Sequence, residues 1–110
     1  MAFNLFGHTK TISPIEANRN MKQDHSIMLI DVREAYEYKS GYIKGARNVP
    51  LSQIPAQIDS LKIPKQTTLY IYCQSGARSE RACGILNKMG YEKIYNLGGI
   101  INWPYEIINH

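Results

Sequence analysis

The chain has 110 residues, 44% hydrophobic and 20% charged, a balance that fits one globular domain over 1–110 and excludes a disordered or fibrous chain. No apolar run reaches the roughly 18 residues of a membrane helix, and Met1–Gly7 lacks the basic opening and long apolar core of a secretory signal, so no membrane partner and a cytoplasmic location are expected. The formal net charge of +4 comes from basic residues scattered between Lys10 and Lys93 without a block or a base-stacking motif, which argues against nucleic acid and suits a small anionic substrate.

In chain order, Ser13-Pro14-Ile15-Glu16 predicts a helix start, with serine as the cap, proline at the first helical position and glutamate closing the capping box. That helix is expected to reach about Asn20. Ser26–Ile30 is a short apolar run that fits a buried parallel strand leading into Asp31 and Arg33. A helical turn over Glu34–Lys39 follows, broken by Ser40-Gly41, and Ala46–Val49 supplies a further strand before Pro50. Leu51, Ile54, Ile58 and Leu61 recur at three- and four-residue spacing, which predicts an amphipathic helix with Pro55 near its start and a stop before Pro64.

Thr67–Tyr72 is β-branched and aromatic, hence a strand that delivers Cys73. Arg78–Met89 carries Ala82, Ile85, Leu86 and Met89 on one stripe and stops at Gly90. Lys93–Tyr95 makes one more strand, Gly98-Gly99 a tight turn, and Trp103 a core anchor. This alternation predicts an α/β fold with a central parallel sheet, helices on both faces, and a site at the carboxyl ends of the strands.

Cys73 therefore ends an apolar strand, and Arg78 stands five positions later where a helix begins. Gly76 lets the loop between them curl so that backbone N–H groups point at the sulfur or at an anion bound to it, and the helix adds its positive end. Such a setting lowers a cysteine pKa from about 8.5 toward roughly 3.5–7.5. A buried inert cysteine, the ordinary alternative, needs neither the glycine loop nor the helix start. Arg78 opposes the helix dipole in the first turn, a placement better explained if its guanidinium binds an anion or braces the loop carbonyls.

Asp31 is expected to cap the next helix and Arg33 to pair with a carboxylate, both structural roles. Cys83, on the helix after the loop, reads as core packing, with a resolving role toward Cys73 as the alternative. The two cysteines form neither a disulfide framework nor a zinc pattern, so no metal and no cofactor are expected. His8, His25 and His110 offer no convincing general base.

Several motifs together resemble the rhodanese family: Leu29-Ile30-Asp31-Val32-Arg33-Glu34, Gly41-Tyr42-Ile43-Lys44-Gly45-Ala46, Asn48-Val49-Pro50, the Cys73–Arg78 loop, and Gly98-Gly99 with Trp103. The resemblance spans about Ile12 to Trp103. It implies a rhodanese-like domain in which Cys73 carries sulfur as a persulfide, Gln74, Ser75, Gly76, Ala77 and Arg78 form the rest of the six-residue cradle, and Asp31 and Arg33 are a structural pair. It also implies a thiosulfate or persulfide donor and a thiol or cyanide acceptor, so the partners are a small anion or a protein bearing a persulfide or thiol. Tyr42 departs from the family, which usually has histidine there.

Three other readings stand beside this one. A phosphatase with a similar cradle expects one more residue between cysteine and arginine, because a phosphate needs the wider loop. A non-catalytic binding module has no need of both Cys73 and Arg78. A thiol redox sensor would use Cys73 with Cys83.

Overall fold

The computed structural model describes residues 9–109; His8, His110 and the apolar start Met1–Gly7 lie outside them. Five strands form an all-parallel sheet in the order β1 (Lys10–Thr11), β6 (Ile94–Gly99), β5 (Leu69–Cys73), β2 (Met28–Asp31), β4 (Arg47–Asn48). A two-stranded antiparallel ribbon pairs β3 (Tyr42–Ile43) with β7 (Ile107–Ile108). The helices are α1 (Pro14–Gln23), α2 (Ala35–Lys39), α3 (Ile54–Leu61) and α4 (Ala77–Lys88).

Alternation along the central strands sends side chains to two cores, as the period of two requires. On one face Ile30, Leu69, Ile71, Cys73 and Ile94 pack with Ile54 and Ile58 of α3 and with Ala82, Cys83 and Leu86 of α4. On the other, Leu29, Tyr70, Tyr72 and Leu97 meet Ala17 of α1 together with Ile43 and Trp103. The expected α/β architecture, a parallel sheet between helical layers, is the one observed.

α1 starts after Ser13 as predicted, with the Glu16 N–H donating to Ser13 Oγ at 3.2 Å, but the Glu16 carboxylate accepts the Ser13 hydroxyl at 3.3 Å in place of the backbone N–H that a closed box would use. It runs to Gln23 rather than stopping near Asn20, since Met21 packs against the second core and the Asp24 N–H closes the end on the Asn20 carbonyl. The helix expected from Leu51 begins instead at Ile54, after a 3₁₀ turn over Leu51–Gln53. Pro55 accounts for this, because proline is tolerated in the first turn of an α-helix and not further inside it. β6 continues past Tyr95 to Gly99, so the pair Gly98-Gly99 ends a strand paired with Tyr72 and Cys73 instead of forming the expected tight turn.

Among the described residues no helix is long and apolar enough to cross a membrane.

Candidate active site

All five residues of β5 are buried, which anchors Cys73 at the carboxyl end of a central strand. The chain then leaves the sheet, and Gly76 at φ +115° turns it into α4; that left-handed conformation strains any residue with a Cβ. Gln74, Ser75 and Ala77 are exposed on the rim, and Cys73 is buried beneath them. Gly76 N–H donates to Cys73 Sγ at 3.0 Å and Ser79 N–H at 3.4 Å. From below, the Ile101 N–H donates to the Gln74 carbonyl at 3.4 Å. The sulfur thus faces backbone N–H groups from Gly76 in the loop and Ser79 just after it.

Ser79 is fully buried and its Oγ lies 3.5 Å from Sγ. Its Oγ also lies 2.7 Å from Asn96 Oδ1, so the one hydroxyl proton goes to that oxygen beside a neutral thiol and can turn to the sulfur when Cys73 ionises; Oδ1 also accepts the Gly98 N–H at 2.8 Å. Asn96 is oriented in turn by donating through Nδ2 to Glu80 Oε1 at 3.2 Å. β6 and α4 are therefore tied together directly behind the sulfur.

Burial alone would push the Cys73 thiol up. The Ser79 hydroxyl, followed by the N–H groups of Ser79, Gly76 and Ser75, outweighs it and brings the pKa below the ordinary cysteine value, because these donors favour the charged form. Cys83 has no such donors and burial pushes it up to about 12. Of the two cysteines, Cys73 is the one whose surroundings favour ionisation. Ser79→Ala removes one donor and is expected to slow iodoacetamide alkylation of Cys73 at neutral pH about three- to tenfold. The inflection of the alkylation–pH profile should move upward; an unmoved inflection would exclude a role for the hydroxyl.

The expectation that Arg78 braces loop carbonyls is corrected by its geometry. Its guanidinium reaches away from the loop to Glu37 of α2, Nη1 donating to Oε1 at 2.7 Å and Nη2 to Oε2 at 3.0 Å. The position remains close enough for Arg78 and the Cys73 thiolate to feel one another electrostatically. The capping expectation for Asp31 is also corrected: Glu34 caps α2, in a reciprocal box with Glu37. Asp31 instead accepts the Arg33 backbone N–H at 2.9 Å and its guanidinium at 2.8–3.1 Å. Arg33 Nη2 donates onward to the Gly41 carbonyl at 2.7 Å, and the Ile43 N–H donates to Tyr72 Oη at 3.1 Å. This buried network supports the segment that carries Glu37.

A family model for the Rhodanese-like domain matches residues 13–105. The chain belongs to the rhodanese-like family. This rhodanese-like chain is similar to the uncharacterized protein YqhL of Bacillus subtilis, 47% identical over 80 residues, which are 72% of this chain and 62% of that protein. It is 37% identical over 102 residues to a tRNA uridine(34) hydroxylase of Bdellovibrio bacteriovorus, covering 89% of this chain but 29% of the hydroxylase. A protein named Sulfurtransferase from Allochromatium vinosum is 38% identical over 87 residues, 78% of this chain and 79% of its own. Among solved structures, a rhodanese with anions from E. coli superposes with a TM-score of 0.70 at 31% identity, covering 76% of this chain and 98% of that one. The match thus spans about three-fifths of YqhL and under a third of the hydroxylase.

Within this rhodanese-like domain, Tyr42 takes the position of the usual histidine by stacking on Tyr38 of α2, ring centroids 4.1 Å apart. His25 is exposed in the turn before β2, at the end of the sheet opposite Cys73. A cavity of about 650 Å³ lies beside it, lined by Met21, Ile27, Trp103 and Tyr105 among others and by no residue of the loop. The N–H groups that converge on a sulfur are those of Gly76 and Ser79, so the candidate site is the Cys73 loop and not this cavity.

Reasoning from sequence missed Ser79, Asn96 and Glu37. A small hydroxyl residue in the first turn of the helix after the loop was a usable signal for Ser79. Asn96 and Glu37 reach the site only through tertiary contacts 17 and 41 positions away.

Proposed function

We propose that this domain is a sulfurtransferase carrying sulfane sulfur as a persulfide on Cys73, from thiosulfate or a persulfide donor to a thiol or cyanide. It acts as one rhodanese-like domain over 1–110, in a reducing cytoplasm and without a cofactor. The observation that carries this reading is the convergence of the Gly76 and Ser79 N–H groups on Cys73 Sγ, which favours an anionic sulfur before transfer and, after it, an anionic persulfide. The curated protein named Sulfurtransferase, similar over most of both chains, supports it.

In the first step the Cys73 thiolate attacks the outer sulfur of thiosulfate; the new S–S bond forms as the old one breaks, and sulfite leaves with the electron pair. In the second, an acceptor thiolate or cyanide attacks the outer persulfide sulfur and the Cys73 thiolate is the leaving group. The donors around Cys73 Sγ lower its pKa and favour the ionised nucleophile, which lessens the need for a general base. The hydroxylase relative shares only 29% of its length with the match, so its activity is not carried over. A redox role for Cys83 is disfavoured by burial, which pushes that thiol up to about 12.

The test is intact mass after incubation with thiosulfate, for the wild type and for Cys73→Ser, followed by cyanide. The expected result is a gain of one sulfur on the wild type alone, reversed by cyanide with release of thiocyanate. No gain from thiosulfate or from a persulfide, with the fold intact, would overturn the reading.

A further inference from the structure

Glu37 is the third residue of α2 and its carboxylate is held from two sides. Oε1 accepts the Glu34 N–H at 2.9 Å, and the two oxygens take the two terminal nitrogens of Arg78. The side chains are 19% and 34% exposed, so the pair is partly buried, and Arg78 is near enough to Cys73 to feel its charge. Hydrogen bonding from Arg78 holds the Glu37 carboxyl at about 2, which keeps it ionised across any pH at which the folded domain is assayed. Arginine has five N–H donors, and an end-on carboxylate uses two of them. Arg78 thus keeps donors with which to orient a ligand, but its charge is already answered.

We propose that Glu37 sets the donor preference of this site: by holding Arg78 in a neutral ion pair beside Cys73, it weakens binding of small dianionic sulfur donors and leaves the cradle matched to persulfides that carry little charge. The inference rests on the sulfur-transfer reading above. A dianion such as thiosulfate approaches a thiolate, and a free arginine would offset that repulsion; a paired one does not. A persulfide carries at most one negative charge, as R–S–S⁻, and none as R–S–SH, so it meets a smaller barrier than a dianion does. The Cys73 thiolate attacks the outer sulfur of the protonated form R–S–SH, the S–S bond breaks, R–S⁻ leaves with the electron pair, and Cys73–S–SH is formed with atoms and charge conserved. Glu37 touches no reacting atom in either case. It acts through Arg78 as a specificity-determining residue.

Glu37→Gln removes the charge while keeping an acceptor for the Glu34 N–H, since glutamine also completes a capping box. Sulfur uptake is measured for this variant and the wild type with two donors, thiosulfate and the persulfide of 2-mercaptoethanol. At low ionic strength KM for thiosulfate is expected to fall roughly three- to tenfold in Glu37→Gln, and KM for the persulfide, which carries at most one charge, to fall by clearly less. Glu37→Asp, which keeps the charge, is expected to behave toward thiosulfate as the wild type does. In the wild type itself, KM for thiosulfate should not rise with salt.

Sulfate titrated into Cys73→Ser and into Cys73→Ser/Glu37→Gln reports the same effect without turnover, and should bind more tightly to the double variant. An equal or weaker sulfate affinity there, a parallel change for both donors, or a wild-type KM that rises steeply with salt would each overturn the proposal and leave Glu37 as a brace. Failure of sulfur uptake from both donors would overturn the sulfur-transfer reading instead, and the sulfate titration would still decide the role of Glu37.

Discussion

Asp31→Asn is expected to cost about 3–5 kcal/mol of stability, a large share of the roughly 5–15 kcal/mol that holds a domain of this size. The side chains of Asp31 and Arg33 are 0% and 5% exposed, so the guanidinium has no water to turn to when the carboxylate is lost. Burial works against the charge on Arg33, and Asp31 more than offsets it, moving the arginine pKa upward. Asparagine keeps the shape but turns an N–H₂ group toward a cation that needs acceptors. The Gly41 carbonyl, at 2.7 Å from Nη2, is the acceptor that remains. Urea denaturation of the single variant and of Asp31→Asn/Arg33→Met checks this directly. The double variant should be less destabilised than Asp31→Asn alone, because it no longer buries an unpaired charge; equal losses would show that the pair is not what holds this region.

Gly99→Ala is expected to lower sulfur uptake about a hundredfold and to destabilise the domain by about 1–3 kcal/mol. Gly99 has an ordinary φ of −116°, so its backbone conformation suits any residue. Space is the constraint. A Cβ there would collide with the Gln74 carbonyl oxygen, would lie 2.7 Å from Ser75 Cα and 2.9 Å from Gln74 C, and all three belong to backbone. Relief requires either the loop to rise off β6 or the pairing of Gly99 with Cys73 to open. In both cases the Gly76 and Ser79 amides no longer meet at the sulfur. Gly84→Ala, in the middle of α4 with open space around the new methyl, serves as the control and is expected to stabilise by up to about 1 kcal/mol through helix propensity. Melting temperatures and sulfur uptake for the two variants separate steric displacement of the loop from any general effect of replacing glycine.

The parts of this molecule that local chemistry specifies were legible in its sequence. Ser13, Pro14 and Glu16 mark a helix start because all the bonds of the cap are made within four residues. The run from Leu69 through Gly76 into α4 is equally local: an apolar strand, a residue that tolerates positive φ, and a helix. Two-residue strands such as Lys10–Thr11 and Ile107–Ile108 are too short to display a period, and only their distant partners define them. Gly98-Gly99 read as a turn because glycine is the commonest turn residue; close approach of the loop to β6 is the reason for Gly99, and no neighbouring residue announces it. Arg78 was legible as an arginine placed against a helix dipole. Its partner was not, since Glu37 is brought to it by the fold.

The step between β5 and β6 places chain length itself under constraint. Ile71 pairs with Asn96 but Tyr72 pairs with Gly98, so Leu97 is passed over, and it is this extra residue that brings Gly99 opposite Cys73. With that step kept, deleting one residue between Asn96 and Gly99 would set Ile100 in place of Gly99 opposite Cys73 and under the loop. Exchanging Leu97 for another apolar residue of similar size leaves that count intact. In a library built on this domain, the segment should accept substitutions and reject single-residue insertions and deletions, the reverse of the tolerance usual for a surface loop.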